Sequence, residues 1–322
     1  MTDHRVVVTD HDFSDLSIER TVLGDIAEIV ELPDQEGATD ENPYEILPTA
    51  DAVFNMRYTL GEEEIHMLEK CQIIARYGIG VDNVNLDAAT EHGMYVTNVP
   101  TYCIEEVTTH AFTLMVALLR GVHQYSESVA AGHWDRDVAA PIHRFSTRTV
   151  GIVGFGAIGR VLGERVSSFG ADVIASDPFL SSSDLAGHDA ELVDFEELLS
   201  RADIVSIHSP LTDDTRNMFD RDVISRMKDS AVLINAARGT IIDETALITA
   251  LDAGEIAGAG LDVLSVEPPR DDHPLREHPR TIVTPHVAWY SEEANEERRH
   301  EAAENVRTAL LGERPENIVN DR

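Results

Sequence analysis

"TVGIVGFGAIGRVLGERVSSFGADVIASD", residues 149 to 177, reads as a strand, a glycine turn, a helix and a second strand. Gly154, Gly156 and Gly159 stand in G-x-G-x-x-G spacing directly after the first apolar run. Each glycine has a mechanical reason: the first allows a tight turn, the second lets the backbone approach a pyrophosphate, and the third brings helix against strand. The helix that opens at Ala157 and Ile158 turns its unpaired N–H groups and positive dipole end toward that pyrophosphate. Asp177 ends the second strand, where a carboxylate can accept hydrogen bonds from the adenosine ribose hydroxyls. A 2′-phosphate would meet like charge there, and neither Pro178 nor Phe179 supplies a cation. The expected cofactor is therefore NAD and not NADP; the alternative for Asp177 is a turn cap.

Working outward, short β-branched runs alternate with amphipathic stretches almost from end to end, the pattern of parallel sheets wrapped by helices. The spacing predicts strands at 149–153, 172–176, 203–207, 231–235, 258–262 and 281–284, a complete doubly wound sheet of Rossmann type. Before it, strands are expected at 5–10, 50–55, 72–76 and 94–98, with a helix at 62–70. One long apolar helix over 105–132 reads as a bridge between lobes, and a charged helix over 291–311 is expected to pack back on the first lobe. The predicted class is α/β, with two doubly wound parallel-sheet lobes. A flavodoxin-like substrate lobe takes residues 1–103 plus 292–322, and the NAD lobe takes 104–291.

The chain of 322 residues carries 59 acidic against 25 basic residues, a net charge of −34, and Lys70 and Lys228 are its only lysines. Such a surface repels nucleic acid and anionic membrane. At molar salt the screening length falls to about 3 Å and the self-repulsion becomes tolerable, so the composition points to the cytoplasm of a halophile. No run approaches the roughly 18 apolar residues of a membrane span, and the start, "MTDHRVVVTD", lacks the pattern of a signal peptide. Cys71 and Cys103 make neither a disulfide framework nor a zinc motif, and no metal is expected.

In open α/β sheets ligands bind beyond the carboxyl ends of the strands. In the second lobe those ends are polar: "VLINAARGTIIDE" brings Arg238, "GAGLDVLSVEPP" brings Asp262 and Glu267, and "TIVTPH" brings His286. A base, a carboxylate to tune it and a fixed cation are what 2-hydroxy acid chemistry with NAD demands. Histidine, with a reference pKa of about 6.5, can be neutral before turnover and hold the proton afterwards. Glu267 would favour the imidazolium and orient the ring, and Arg238 presents a fork to a substrate carboxylate. The competing readings are a surface ion pair for Arg238, a turn residue for Glu267 and a strand terminator for His286.

From "RYGIGVDNVNLDAA" through "VGIVGFGAIGR", "HSPLTDDTRNMF", "INAARGTIIDE" and "AGLDVLSVEPP" to "TPHVAW", the chain resembles the D-isomer-specific 2-hydroxyacid dehydrogenase family. The resemblance implies Arg238, Glu267 and His286 as the catalytic trio and a homodimer built largely on the helix after Pro100. It further implies Gly78, Ile79 and Gly80 as N–H donors to the substrate carboxylate, with Arg76 near them. Val107, Ala236, Arg238 and Asp262 are implied around the nicotinamide, and His208, Pro210 and Thr215 along the cofactor cleft. Thr108 and Thr109 depart from the usual pattern of an alanine followed by an acid. Within the family, "DFSDLSIER", "TYCIEEVTTHAF" and "TPHVAWYSEE" are most similar to the branch containing the C-terminal-binding-protein co-repressors. In that branch the residue matching Trp289 lines the substrate pocket, which suits an apolar 2-oxo acid; packing at a helix start is the alternative. Two rival functions remain: a D-3-phosphoglycerate dehydrogenase, with Arg57 and Arg76 as candidate phosphate ligands, and an NAD(H)-sensing dimeric scaffold.

Overall fold

The computed structural model describes residues 4–33 and 43–320. It divides into two compact units, residues 1–103 with 291–322 and residues 104–290. In the first unit, β1 (His4–Val8), α1 (Ser17–Leu23), β2 (Ala27–Glu31), α2 (Pro43–Ile46), β3 (Ala52–Asn55), α3 (Glu62–Met67), β4 (Ile73–Arg76), α4 (Leu86–Glu91) and β5 (Tyr95–Thr97) follow one another. The five strands pair in parallel in the order β2-β1-β3-β4-β5, the flavodoxin-like order. Every residue of β3 and β4 is buried, Asn55 and Arg76 at their carboxyl ends included, as suits central strands covered on both faces.

The second unit runs α5 (Ile104–Leu119), α6 (Val122–Ala130), β6 (Thr149–Val153), α7 (Ala157–Ser168), β7 (Asp172–Ser176), β8 (Glu191–Leu192), α8 (Phe195–Arg201), β9 (Ile204–Ile207), α9 (Arg221–Ile224), β10 (Val232–Asn235), α10 (Glu244–Ala253), β11 (Gly258–Leu261) and β12 (Thr281–Val283). Its sheet has the order β12-β11-β10-β9-β6-β7-β8, again parallel throughout. The order reverses direction between β6 and β9, and a crevice opens at such a switch point. The α/β class with two parallel sheets is thus the architecture observed.

Three differences from the sequence-based expectation have simple causes. Strand β2 is an edge strand with one partner and only Ala27 buried, so "AEIVE" lacks the apolar run that marks a central strand. Strand β8, also at an edge, is two residues long. The helix expected over 105–132 is broken: Gly121 adopts φ +58°, a left-handed conformation that ends α5 and begins α6 on a new axis. Helix α5 buries Val107, Thr108, Ala111, Leu114 and Met115, whereas α6 buries none of its residues.

The last helix, α11 (Glu292–Leu310), belongs to the first unit and packs on α1, β3 and β4. Its small buried residues, Ala294, Ala302, Ala303 and Ala309, permit the close approach. Arg299 lies across the Phe13 ring, 4.4 Å from its centroid, and forms a two-pronged pair with Glu19 at 2.9 and 2.7 Å. Glu19 is fully buried and Arg299 nearly so, and breaking a buried pair leaves an uncompensated charge. Glu19→Ala should therefore cost about 3 kcal/mol, read as a lower denaturation midpoint at fixed salt. A loss below about 1 kcal/mol would mean that the pair behaves like an exposed one.

Candidate active site

The glycine turn after β6 has the shape its spacing implies. Gly154 adopts φ +87°, and a Cβ there would lie 2.8 Å from the backbone of His208. A Cβ on Gly159 would lie 2.4 Å from the Gly154 carbonyl oxygen, so helix and turn approach too closely for any side chain. Over Gly156 the space is open, with nothing within 4 Å of a Cβ position, and no side chain caps the start of α7 at Ala157 and Ile158. An open cradle facing uncapped helix N–H groups fits a pyrophosphate. Asp177 also folds this turn: Oδ2 accepts the Phe155 N–H at 2.9 Å and Oδ1 the Phe179 N–H at 3.0 Å. Each carboxylate oxygen has a second lone pair, so capping leaves room for ribose hydroxyls.

The next loop follows β9. His208 lies 2.8 Å from Ser206 Oγ through Nε2, and burial pushes its pKa down to about 4, leaving a neutral ring. Thr215 Oγ1 donates to the Pro210 carbonyl at 2.7 Å and accepts the Thr212 N–H, which fixes residues 210–215 as a tight loop. Val107 is buried in α5, and Ala236 stands half-buried just beyond β10.

Arg238, Glu267 and His286 follow β10, β11 and β12, three neighbours in the sheet, and this adjacency gathers them. Asn235, fully buried, holds the turn before Arg238 by donating to the Arg238 carbonyl and accepting the Ala237 N–H. Gly239 is required there, because a Cβ would lie 2.0 Å from the Leu264 carbonyl carbon. That close approach brings the Arg238 and Glu267 turns together. Glu267 Oε1 accepts the Leu264 N–H at 2.9 Å, and Oε2 meets His286 Nδ1 at 2.6 Å. Burial raises the Glu267 carboxyl, but the hydrogen bond and charge of His286, the Leu264 N–H and the Arg238 guanidinium outweigh it and hold it below the usual carboxylate range. A carboxylate only accepts, so the His286 Nδ1 carries the proton and Nε2 remains for exchange.

Sequence reasoning missed how His286 is held. The residue adopts φ +55°, in the left-handed region that only a small minority of non-glycine residues occupy. Asp262, 1% exposed, over-determines this conformation. Its carbonyl oxygen accepts the His286 N–H at 2.7 Å, Oδ1 the Val287 N–H at 3.0 Å and Oδ2 the Ala288 N–H at 2.8 Å. The Thr284 hydroxyl also donates to Oδ1, at 2.5 Å. Trp289 closes the turn with its indole N–H on the His286 carbonyl at 2.9 Å, so its polar edge is satisfied and its faces are apolar. Nothing local in "TIVTPHVAW" announces this clamp, since its acceptor stands 22 or more residues earlier.

In the first unit the loop after β4 carries Gly78, Ile79 and Gly80. All three carbonyls are taken, by the Val99 N–H, the Asn98 amide and Arg76 Nε. Among the described residues no acceptor takes their N–H groups. Arg76, 8% exposed, reaches Gly80, Asn55 and Met56, so its guanidinium shapes this loop.

Residues 112–288 match the family model described as D-isomer specific 2-hydroxyacid dehydrogenase, NAD binding domain. The D-3-phosphoglycerate dehydrogenase of Mycobacterium leprae is 38% identical over 85% of this chain and 52% of its own length. The chain thus spans about half the length of that relative. The glycerate dehydrogenase of Methylorubrum extorquens is 36% identical over 87% of this chain and 89% of its own. Among solved structures, the D-lactate dehydrogenase of Aquifex aeolicus complexed with NAD and lactic acid superposes with a TM-score of 0.86. It is 27% identical over 95% of this chain and 96% of that one. Carrying the family's NAD-binding domain and these relatives along most of its length, the chain belongs to the D-isomer specific 2-hydroxyacid dehydrogenase family.

Proposed function

We propose that the protein is an NAD-dependent D-2-hydroxyacid dehydrogenase that interconverts a small 2-oxo acid and its 2-hydroxy acid, with His286 as proton carrier. The observation that carries this reading is the 2.6 Å pair of His286 and Glu267 on a turn clamped by a buried aspartate, beside Arg238 in the sheet that bears the dinucleotide turn. The unaccepted N–H groups of Gly78, Ile79 and Gly80 suit a substrate carboxylate, with Arg76 holding their loop in shape. Gly154, Gly156, Ala157, Ile158, Gly159 and Asp177 would hold the cofactor's pyrophosphate and ribose, and His208, Pro210, Thr215, Ala236 and Val107 would line its cleft. Asp262 would serve the nicotinamide end chiefly by fixing the turn behind it. Bound NADH supplies the hydride that reduces the carbonyl carbon.

His286 delivers the matching proton from Nε2 to the carbonyl oxygen, which becomes the alcohol. Before that step Glu267 stabilises the imidazolium through Nδ1; afterwards it keeps the neutral ring in the same orientation. Arg238 stays charged throughout and polarises the carbonyl while binding the carboxylate. In the reverse direction the neutral ring accepts the alcohol proton.

Trp289, with its N–H already satisfied, presents an apolar wall that favours an apolar substrate side chain. A phosphorylated substrate would need cations of its own. Arg76 is engaged with its loop, and Arg57 pairs with Asp12 at 3.2 Å. A homodimer belongs to the same reading. Helix α6 buries none of its residues, and Trp134 beyond it is 92% exposed, a surface suited to a second copy. The charge of −34 favours a working medium of molar salt as part of the same reading.

Purified protein at molar salt, given NADH and a panel of glyoxylate, pyruvate, hydroxypyruvate, 4-methylthio-2-oxobutyrate, phenylpyruvate and phosphohydroxypyruvate, should oxidise NADH rapidly with a non-phosphorylated acid. Activity confined to phosphohydroxypyruvate would assign the phosphoglycerate reaction instead. Tight NADH binding without oxidation across the panel would favour the sensing scaffold. Asp177→Ala should lower the preference for NAD over NADP, as the ratio of kcat/KM values, by about tenfold, the weight of one charged hydrogen bond. An unchanged ratio would remove Asp177 from the ribose site.

A further inference from the structure

The Asp262 carboxylate meets two N–H groups and a hydroxyl of the His286 turn, and at its remaining edge stands a residue from another part of the unit. His110, on α5, places Nε2 2.9 Å from Thr284 Oγ1 and 3.5 Å from Asp262 Oδ1. Thr284 has one hydroxyl proton, and it points to Asp262 at 2.5 Å. Its oxygen therefore offers lone pairs to His110, and the His110 Nε2 carries a proton. That N–H is given to Thr284, whose hydroxyl in turn donates to a carboxylate that is 1% exposed, in an unbroken run from His110 through Thr284 and Asp262 to the turn bearing His286.

Packing alone does not fix the His110 ring. It lines a hollow of 330 Å³ with Glu105, Thr109, Val287 and Ala288, and its side chain is 23% exposed. What orients the ring is the hydrogen bond to Thr284.

We propose that His110 is a positioning residue for the reaction: its Nε2–H orients Thr284 and Asp262 so that the turn holds His286 at positive φ against Glu267. The inference deepens the dehydrogenase reading and rests on it. Loss of the N–H would let the Thr284 hydroxyl rotate away and so leave Asp262 one donor short. The turn would then relax toward ordinary φ values and carry the imidazole out of line with Glu267.

The test compares His110→Leu, which fills similar space without a donor, with His110→Gln, whose side-chain amide can supply an N–H to Thr284. Three quantities are read at molar salt: kcat with the best 2-oxo acid, the Kd of NADH by fluorescence, and the downfield proton resonance of the His286 Nδ1–H. That resonance is assigned by its loss in His286→Gln. His110→Leu should lower kcat about tenfold or more, leave the NADH Kd within about twofold, and shift or broaden the resonance. His110→Gln should recover both kcat and resonance. An unchanged kcat and resonance in His110→Leu, or a glutamine variant no better than leucine, would overturn the proposal. If the wild-type protein turns over none of the acids, the dehydrogenase reading fails by itself and the resonance decides alone. Perturbation by leucine with recovery by glutamine would uphold the positioning role, and an unperturbed resonance would overturn it.

Discussion

A buried carboxylate is costly unless donors surround it, and Asp262 sits where the backbone has been bent to supply them. Its carboxylate oxygens and carbonyl oxygen take the N–H groups of residues 286, 287 and 288 in succession. Three consecutive N–H groups face one residue only if the chain turns sharply, and the positive φ of His286 makes that turn. The conformation costs of order 1–3 kcal/mol, and charge-assisted hydrogen bonds offset it. Strain and compensation thus meet at the residue whose imidazole faces Glu267, and the local geometry follows from this exchange.

Topology brings the remaining pieces to the clamp. Strands β10, β11 and β12 are neighbours, all parallel, so their carboxyl ends open on the same edge and deliver Arg238, Glu267 with Asp262, and His286 side by side. The dinucleotide turn after β6 lies on that same edge, at the switch in strand order. Close backbone approach at Gly239 then sets the Arg238 turn against the Glu267 turn. The same fold logic recurs in the first unit, where the loop after β4 presents N–H groups whose carbonyl partners are already engaged.

Local pattern reveals what local forces decide. The six strands expected over 149–284 and the glycine turn are visible in the sequence because each strand keeps a short apolar or β-branched run and because the turn needs glycine at fixed spacing. Edge strands such as β2, with glutamate at 28 and 31, carry no such run. The helix break at Gly121 is hidden because an isolated glycine inside a helical pattern can be tolerated and does not by itself mark an end. The polar network was the least legible part. His110 and Thr284 are 174 residues apart, and only the finished fold juxtaposes them. Asp262 was legible as a polar strand end, but its bonds to the turn were not, since they depend on a backbone conformation that no residue type in the turn demands.

In the proposed reaction His286 gives and takes the proton, held ready by Glu267 and the Asp262 clamp. The most direct measurement is a single-turnover rate at molar salt with saturating NADH and the preferred 2-oxo acid, for the wild-type protein and His286→Gln, alongside the NADH Kd of each. NADH affinity should stay within about threefold while the reduction step slows by about 100-fold or more, the range for loss of a general acid. A glutamine variant that reduces its substrate at a near-normal rate would contradict that role of His286.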